Sequence, residues 1–153
     1  MIRRSCIAKG KKTSPDGTKY EGEFINDILI KGKETCPFGS KYEGTWSTNG
    51  KFINGIKTCP DGTKYEGIWS ELTSKFINGT KTCPDGTKLE GEWSITDTFV
   101  KGKKSCSDDT EYEGDFINDI LIKGKMICSD HNEYDVEWSI IGILIKGKLT
   151  CDG

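Results

Sequence analysis

The sequence has one histidine, four prolines and no apolar run that approaches the roughly 18 residues of a membrane span. Two arginines stand near the start of the chain and no apolar core follows them before Lys9, so no secretory signal is visible. We therefore expect a protein of a reducing compartment, the cytoplasm. Few prolines and the lack of a low-complexity tract argue against disorder.

A seven-residue phrase, Thr-Lys-Tyr-Glu-Gly-x-aromatic in its clearest form, recurs six times. Its copies start at positions 18, 40, 63, 87, 110 and, in degenerate form, 132, which lie 22 to 24 residues apart. Such a period is typical of stacked units that are each too small to bury their own apolar face. We expect one repeat domain over 1–153, with a partial repeat at 1–9, repeats at 10–31, 32–54, 55–78, 79–101, 102–123 and 124–146, and a partial repeat at 147–153.

Each repeat carries the signals of two turns. Pro-Asp-Gly at 15–17, 60–62 and 84–86 predicts a type I turn followed by a left-handed glycine, which is a hairpin loop with a bulge. Asn-Asp at 26–27 and 118–119 predicts a second reversal between apolar runs. The predicted fold is therefore all-β: an elongated, twisted, single-layer antiparallel meander of about six stacked hairpins, with roughly 12–13 strands.

The predicted turn fixes which residues lie opposite each other. Lys57 should oppose Tyr65, and strict alternation puts Ile53, Tyr65 and Trp69 on one face, which we expect to be concave and lined with aromatic residues and glycines. The gap at each glycine should be filled by a ring of the neighbouring hairpin. On the other face the register sets opposite charges across the strands, namely Lys11 and Glu21, Lys33 and Glu43, Lys103 and Glu113, and Lys125 and Asp135.

With these motifs the chain resembles MORN-repeat proteins (membrane occupation and recognition nexus) over nearly its full length. The resemblance implies a non-catalytic scaffold that binds a partner helix or peptide, self-associates, or contacts acidic phospholipids. It also makes an origin in a large DNA virus of protists, and a place in a viral assembly, further expectations. The first glycine of the family's Gly-x-Gly is replaced here by Ile30, Ile53, Ile77, Val100, Ile122 or Ile145, so we expect a more aliphatic groove.

The candidate partner-binding groove consists of the aromatic and lysine residues expected on the inner face: Tyr20, Phe24, Tyr42, Trp46, Lys57, Tyr65, Trp69, Lys81, Trp93, Tyr112 and Phe116. Lys57, Lys81 and Lys104 form an anion-attracting file in one interpretation. In the other, their stems cover the rings and their ammonium groups reach water. Glu34 interrupts the file at its start.

Charge is segregated along the chain. Residues 1–66 carry 12 Lys/Arg against 8 Asp/Glu, and residues 105–153 carry 4 against 11, so the two ends have net charges of +4 and −7. We expect a protein partner, with salt-sensitive self-association favoured. The alternative is a peripheral membrane adaptor that binds acidic phospholipids through the basic half; the overall acidity disfavours nucleic acid. Val136 replaces a groove glycine and predicts a capping repeat.

The other reactive side chains of the sequence do not indicate a catalytic or metal-binding site. Six cysteines (36, 59, 83, 106, 128 and 151) share one repeat position. In successive hairpins this position recurs two strands apart, about 9–10 Å, which is too far for disulfides or a zinc site. Cys6 and Cys151 are the candidates for an intermolecular crosslink. The carboxylate pairs Glu21-x-Glu23 and Glu90-x-Glu92 should point outward, and His131 stands in a degenerate turn. We expect no enzyme, cofactor, metal or small-molecule substrate.

Overall fold

The structure is a computed structural model that describes residues 6–138 and 144–150, with side chains described for residues 6–137. The described residues form thirteen β-strands and no helix. The strands are β1 (Ala8–Thr13), β2 (Lys19–Ile25), β3 (Ile28–Thr35), β4 (Lys41–Trp46), β5 (Phe52–Thr58), β6 (Lys64–Trp69), β7 (Phe76–Thr82), β8 (Lys88–Trp93), β9 (Phe99–Ser105), β10 (Glu111–Ile117), β11 (Ile120–Ile127), β12 (Glu133–Trp138) and β13 (Leu144–Thr150).

The strands follow one another in a single open sheet in chain order. Each described pairing is antiparallel and joins strands that are consecutive in the sequence. The predicted all-β hairpin meander is therefore confirmed. The chain divides into two compact units, Met1–Phe76 and Ile77–Gly153, and we describe each by itself.

The Pro-Asp-Gly loops have the predicted geometry. In the loop between β5 and β6, the Gly62 amide donates to the Cys59 carbonyl at 3.0 Å and the Cys59 amide donates to the Thr63 carbonyl at 2.8 Å. Gly62 has a φ of 93°, and Asp61 Oδ1 accepts a hydrogen bond from the Thr63 amide at 2.9 Å. The turn sets the predicted register, with Lys57 opposite Tyr65.

Asn-Asp also makes the predicted reversal. Asn26 and Asp27 have φ angles of 50° and 65°, and Asn118 and Asp119 have φ angles of 49° and 65°. Two successive residues with positive φ are characteristic of a type I′ turn, whose twist matches that of the strands it joins. These turns connect β2 to β3 and β10 to β11.

A β-bulge at the connector end of each described hairpin breaks the strict alternation. Thr45 pairs with Asn54, but the next pair is Trp46 with Phe52, so Ile53 is an extra residue. The skipped residues in the other described hairpins are Ile30, Val100, Ile122 and Ile145. They are the residues that the sequence analysis compared with the first glycine of the MORN pattern.

The bulge changes which residues face the rings. Alternation gave this position to Ile53, whereas the ring of Phe52 lies 4.7 Å from that of Trp69 and 4.9 Å from that of Trp46. Phe76 and Phe99 make the same kind of contact in their hairpins. The expected aliphatic groove is therefore wrong for these three repeats, because the rings precede the glycine instead of following it.

Glycines face each other across the strands at very short range. A Cβ on Gly44 would lie against the carbonyl oxygen of Asn54 and only 2.7 Å from the Cα of Gly55. The φ angles of Gly44 and Gly55, 155° and 139°, are accessible only to glycine. The gap expected for a neighbouring ring is thus filled by the backbone of the partner strand. Gly10, on the outermost described strand, would meet no atom within 4 Å.

The core of each unit is a row of stacked apolar side chains, which we call the ring row: Leu29, Trp46, Phe52, Trp69 and Phe76 in the first unit, and Trp93, Phe99, Phe116 and Leu121 in the second. Successive ring centroids lie 4.7–4.9 Å apart. Phe99 is 1% exposed and Trp46 is 7% exposed. Ring pairs at this distance each contribute about 0.5–1.5 kcal/mol beyond the burial of their area.

The opposite face, which we call the back face, carries the predicted cross-strand charge pairs. Lys11 lies 3.8 Å from Glu21, and Lys33 lies 3.9 Å from Glu43. All four predicted registers are confirmed. Lys103, however, makes its ion pair with its diagonal neighbour Glu111, at 2.8 Å.

Candidate functional site

The candidate groove residues fall into two rows on one face. Trp46, Trp69, Trp93 and Phe116 belong to the buried ring row and are structural. The others are half-buried, and most belong to a second, more accessible row. This tyrosine row consists of residues directly opposite one another across the strands: Lys12, Tyr20, Glu34, Tyr42, Lys57 and Tyr65 in the first unit, and Lys81, Leu89, Lys104, Tyr112, Met126 and Tyr134 in the second.

Lys57 shows how a cation is held in the tyrosine row. Its Nζ lies 5.5 Å from the centroid of the Tyr42 ring and 6.0 Å from that of Tyr65. A lysine ammonium within about 6 Å of a ring face is attracted by the ring's negative face. The ammonium of Lys57 therefore lies over the rings, and not only its aliphatic stem.

Glu34 occupies the corresponding place one repeat earlier, between Tyr20 and Tyr42. Burial raises the pKa of its carboxyl group and the negative charge of Asp16 raises it further, while a hydrogen bond from the Trp46 side chain lowers it. The same two carboxylates add to the effect of burial in raising the pKa of the Cys36 thiol. The positive charge of Lys57 opposes this effect on Cys36.

A cavity of about 200 Å³ opens beside Glu34. It is lined by Lys12, Ser14, Tyr20, Phe24, Asp27, Ile28, Leu29, Glu34, Trp46 and Gly50. The ammonium of Lys12 lies at its rim, where Nζ donates to the carbonyl oxygen of Asp27 at 3.5 Å. The cavity thus combines rings, one half-buried carboxylate and a lysine held to one side.

The second unit contains a cavity at the corresponding place, of about 440 Å³. It is lined by Lys104, Cys106, Tyr112, Phe116, Asp119, Ile120, Leu121 and Met126. Residues 24–33 and 116–125, which supply the turn and one wall of the two cavities, have identical sequences. Two matched positions of the linings differ, with Cys106 in place of Ser14 and Met126 in place of Glu34, and the second exchange removes a carboxylate.

The remaining candidate side chains are dispersed. His131 has a φ of 68° in an exposed turn, where it replaces a glycine. Glu23 lies opposite Lys31, and Glu90 opposite Lys103, on the back face. Among the described residues there is no group of three or more His, Cys, Asp or Glu side chains that could hold a metal ion.

No disulfide joins the cysteines in the described part of the chain. Cys6 is exposed, and Cys36, Cys59, Cys83, Cys106 and Cys128 are half-buried. Cys151 lies outside the described residues, so a crosslink through it stays a prediction. No long apolar helix that could cross a membrane occurs in the residues that the structure describes.

Two groups of residues on this face were not predicted from the sequence. Phe52, Phe76 and Phe99 were not placed in the groove because the bulge shifts their side chains onto this face. Glu34 was noted only as an interruption of the lysine file. The signal was available, since the register placed it directly between two tyrosines.

Comparison with known proteins gives the chain no relative: no family model matches it, and no curated protein matches it.

Proposed function

We propose that this protein is a non-catalytic scaffold that docks a protein segment on the tyrosine row, and that the segment belongs to a second copy of the chain. The observation that carries the proposal is the half-buried row of tyrosines and lysines above the ring row. No second layer covers this face within residues 6–137. Tyrosine supplies contact area at low entropic cost and is enriched where proteins bind each other.

The charge pattern favours a second copy as the occupant. Lys57, Lys81 and Lys104 lie in the tyrosine row, and residues 105–153 carry 4 Lys/Arg against 11 Asp/Glu. The acidic half of one chain is therefore complementary to the basic half of another. Complementary charges steer association and fix its orientation.

The resemblance to MORN-repeat proteins stays a prediction, and the succession of hairpins in chain order supports it. The exposed and lysine-paired positions of the candidate carboxylates support a non-catalytic function. A reducing cytoplasmic location and a place in a viral assembly belong to the same proposal.

Light scattering across a range of ionic strength tests the proposal. We expect a dimer or larger species at low salt that dissociates as salt screens the charges. The double variant Lys57→Glu with Lys104→Glu should abolish association. The matched control, Lys33→Glu, reverses a charge on the back face and should retain it. A monomeric mass at every ionic strength would contradict the proposal.

Binding to acidic phospholipids is the second candidate, and it is favoured by the exposure of all six residues of β1, which include Lys9, Lys11 and Lys12. Co-sedimentation with vesicles of phosphatidylcholine, with and without phosphatidylserine, distinguishes the two. Pelleting that requires phosphatidylserine and is lost in a Lys9→Glu, Lys12→Glu variant would support the membrane adaptor. Self-association of the protein without pelleting would support the protein scaffold.

A further inference from the structure

We infer that the cavity beside Glu34 is a binding site for an alkylammonium group, which enters between the aromatic walls and pairs with the Glu34 carboxylate. The ligand is either a free amine or a lysine side chain of another protein. This inference goes beyond the docking scaffold and does not depend on it, because a free amine can occupy the site of a monomer.

The first argument comes from the chain's own lysine. Lys57 holds its ammonium over two tyrosine rings of the tyrosine row. One repeat earlier the corresponding place, between Tyr20 and Tyr42, has a carboxylate in place of the lysine. The tyrosine rings that attract a cation are therefore present on both sides, but the residue between them carries a carboxylate, which itself attracts a cation.

The second argument comes from the walls of the cavity. Tyr20, Phe24 and Trp46 line it together with Glu34, and interaction with the Trp46 side chain partly offsets the effect of burial on the pKa of the carboxyl group. A volume of about 200 Å³ is several times the roughly 30 Å³ that one water occupies, so a small organic cation fits. Rings that surround a desolvated carboxylate select for a cation whose surface is partly apolar.

The third argument is that the Glu34 charge is not already neutralised. Within residues 6–137 no lysine or arginine lies within ion-pair distance of this carboxylate. The charged neighbour that acts on it is Asp16, which is also negative. Lys12 lines the same cavity, but its ammonium is hydrogen-bonded to the Asp27 carbonyl at the rim.

The second unit provides a natural control. Its corresponding cavity has the same turn, the same tyrosine and phenylalanine and the same lysine, but Met126 stands in place of the glutamate. Without the carboxylate this cavity lacks the charge that would hold an ammonium. We therefore expect one site per chain and not two.

The test is a titration of the full chain followed by NMR. The reporters are the indole N–H of Trp46, which lines the cavity together with Glu34, and the methyl group of Met126, which lines the second cavity. The probes are tetramethylammonium, n-butylammonium and N-acetyl-lysine methylamide, with uncharged tert-butanol as the control. Glu34→Gln keeps the size and the acceptor for Trp46, and Glu34→Lys introduces the ammonium found at position 57.

We expect the ammonium probes, and not tert-butanol, to shift the Trp46 signal in a saturable manner while Met126 stays unchanged. Glu34→Gln should weaken binding at least about tenfold, and Glu34→Lys should abolish it. Lys12→Ala, which removes a positive charge from the cavity lining, should strengthen it. A lysine derivative that binds more tightly than n-butylammonium would indicate a protein lysine as the ligand; equal affinities would indicate a free amine.

Three results would overturn the inference. They are the lack of any saturable shift with the ammonium probes, an equal response to tert-butanol, and unchanged affinity in Glu34→Gln. Spectra of each variant without ligand establish that it is folded. If Glu34→Lys failed to fold, the comparison of the wild type with Glu34→Gln would still decide the question.

Discussion

Identical ten-residue segments, 24–33 and 116–125, lie in different surroundings in the two units. Both make a type I′ turn between two strands, and both form one side of a cavity. Phe116 is 3% exposed and contacts the ring of Phe99, whereas Phe24 is half-buried and lies opposite Ala8 of the edge strand β1. Local sequence therefore determines the turn, while the adjacent strand determines how much stability the same residue contributes.

The cavities beside these segments extend the comparison to chemistry. With Glu34 the first cavity has a negative charge among rings, and with Met126 the second is lined there by an apolar side chain. The exchange of Glu34 for Met126 therefore changes the charge of the cavity lining between two similar repeats. Four substitution experiments, in order of decreasing expected effect, can break or sharpen this comparison.

The largest loss of stability is expected at the glycines of the two identical segments, and it should be similar in both. In Gly32→Ala and Gly124→Ala the new Cβ would lie 2.8 Å from a facing glycine Cα and against a backbone carbonyl oxygen. The backbone cannot yield, and alanine is strained at φ angles of 143° and 150°. We expect each to lower the free energy of unfolding by more than about 4 kcal/mol, measured by urea denaturation.

Gly10→Ala is the control for both, because a Cβ there meets no atom within 4 Å. It should change the free energy of unfolding by less than about 0.5 kcal/mol. If Gly32→Ala were as mild as Gly10→Ala, the close approach of the strands would not explain the repeated glycine.

The second largest loss of stability should differ between the two segments. Phe116→Ala removes a 3% exposed ring and leaves a cavity beside Phe99, so we expect a loss of about 3–4 kcal/mol. Phe24→Ala removes a half-buried ring at the edge and should cost about 1–2 kcal/mol. Urea denaturation of both variants measures the difference, and equal losses would contradict the edge explanation.

A smaller effect concerns the position that differs between the cavities. The raised pKa of Glu34 means that the folded state binds the proton more tightly than the unfolded state, so ionisation of this group opposes folding. The stability that comes from the protonated Glu34 carboxyl group is present at low pH. It is lost as pH rises from the unfolded-state pKa of about 4.3 through the higher folded-state pKa. Glu34→Gln should therefore stabilise the protein at pH 7 and have no effect below that range.

Met126→Gln, which puts the same residue into the second cavity, supplies the contrast. It replaces an apolar side chain by an amide, so it should destabilise the protein by an amount that does not vary with pH between about 4 and 7. Thermal denaturation across this pH range measures both variants. A Glu34→Gln variant with the pH profile of the wild type would show that the Glu34 carboxyl group is not perturbed.

The smallest effect is expected on the back face. Lys103 Nζ and Glu111 Oε2 are 2.8 Å apart, and the hydrogen bond that the Lys103 ammonium donates to this carboxylate raises the pKa of Lys103, whereas Lys11 and Glu21 are 3.8 Å apart. Glu111→Gln should lower the free energy of unfolding only slightly and lower the pKa of Lys103, and Glu21→Gln should lower the free energy of unfolding less still, because exposed ion pairs are screened by water and salt. NMR titration of the lysine ammonium groups and urea denaturation measure both. Equal losses that persist at high salt would contradict an electrostatic origin.

The turns and the register could be predicted from the sequence, because Pro-Asp-Gly has one favourable geometry and a hairpin turn fixes its cross-strand pairs. The predicted pairing of Lys33 with Glu43 is an example. The bulge could not be predicted, because alternation was assumed to continue past a glycine whose φ lies outside the usual strand range. That single-residue shift brought Phe52 onto the ring face. The Val136 cap was placed correctly in the sheet and is buried, but its capping role stays a prediction.

Every described strand hydrogen-bonds only to the strand before it and the strand after it. Each pairing therefore closes a short loop, and damage to one hairpin is transmitted only through its immediate neighbours. Such a sheet can melt inward from an end by stages, and it can be lengthened or shortened by whole repeats without redesign of the rest. The two identical segments are what duplication in such a chain would leave, and the exchange of Glu34 for Met126 shows how one copy can then diverge.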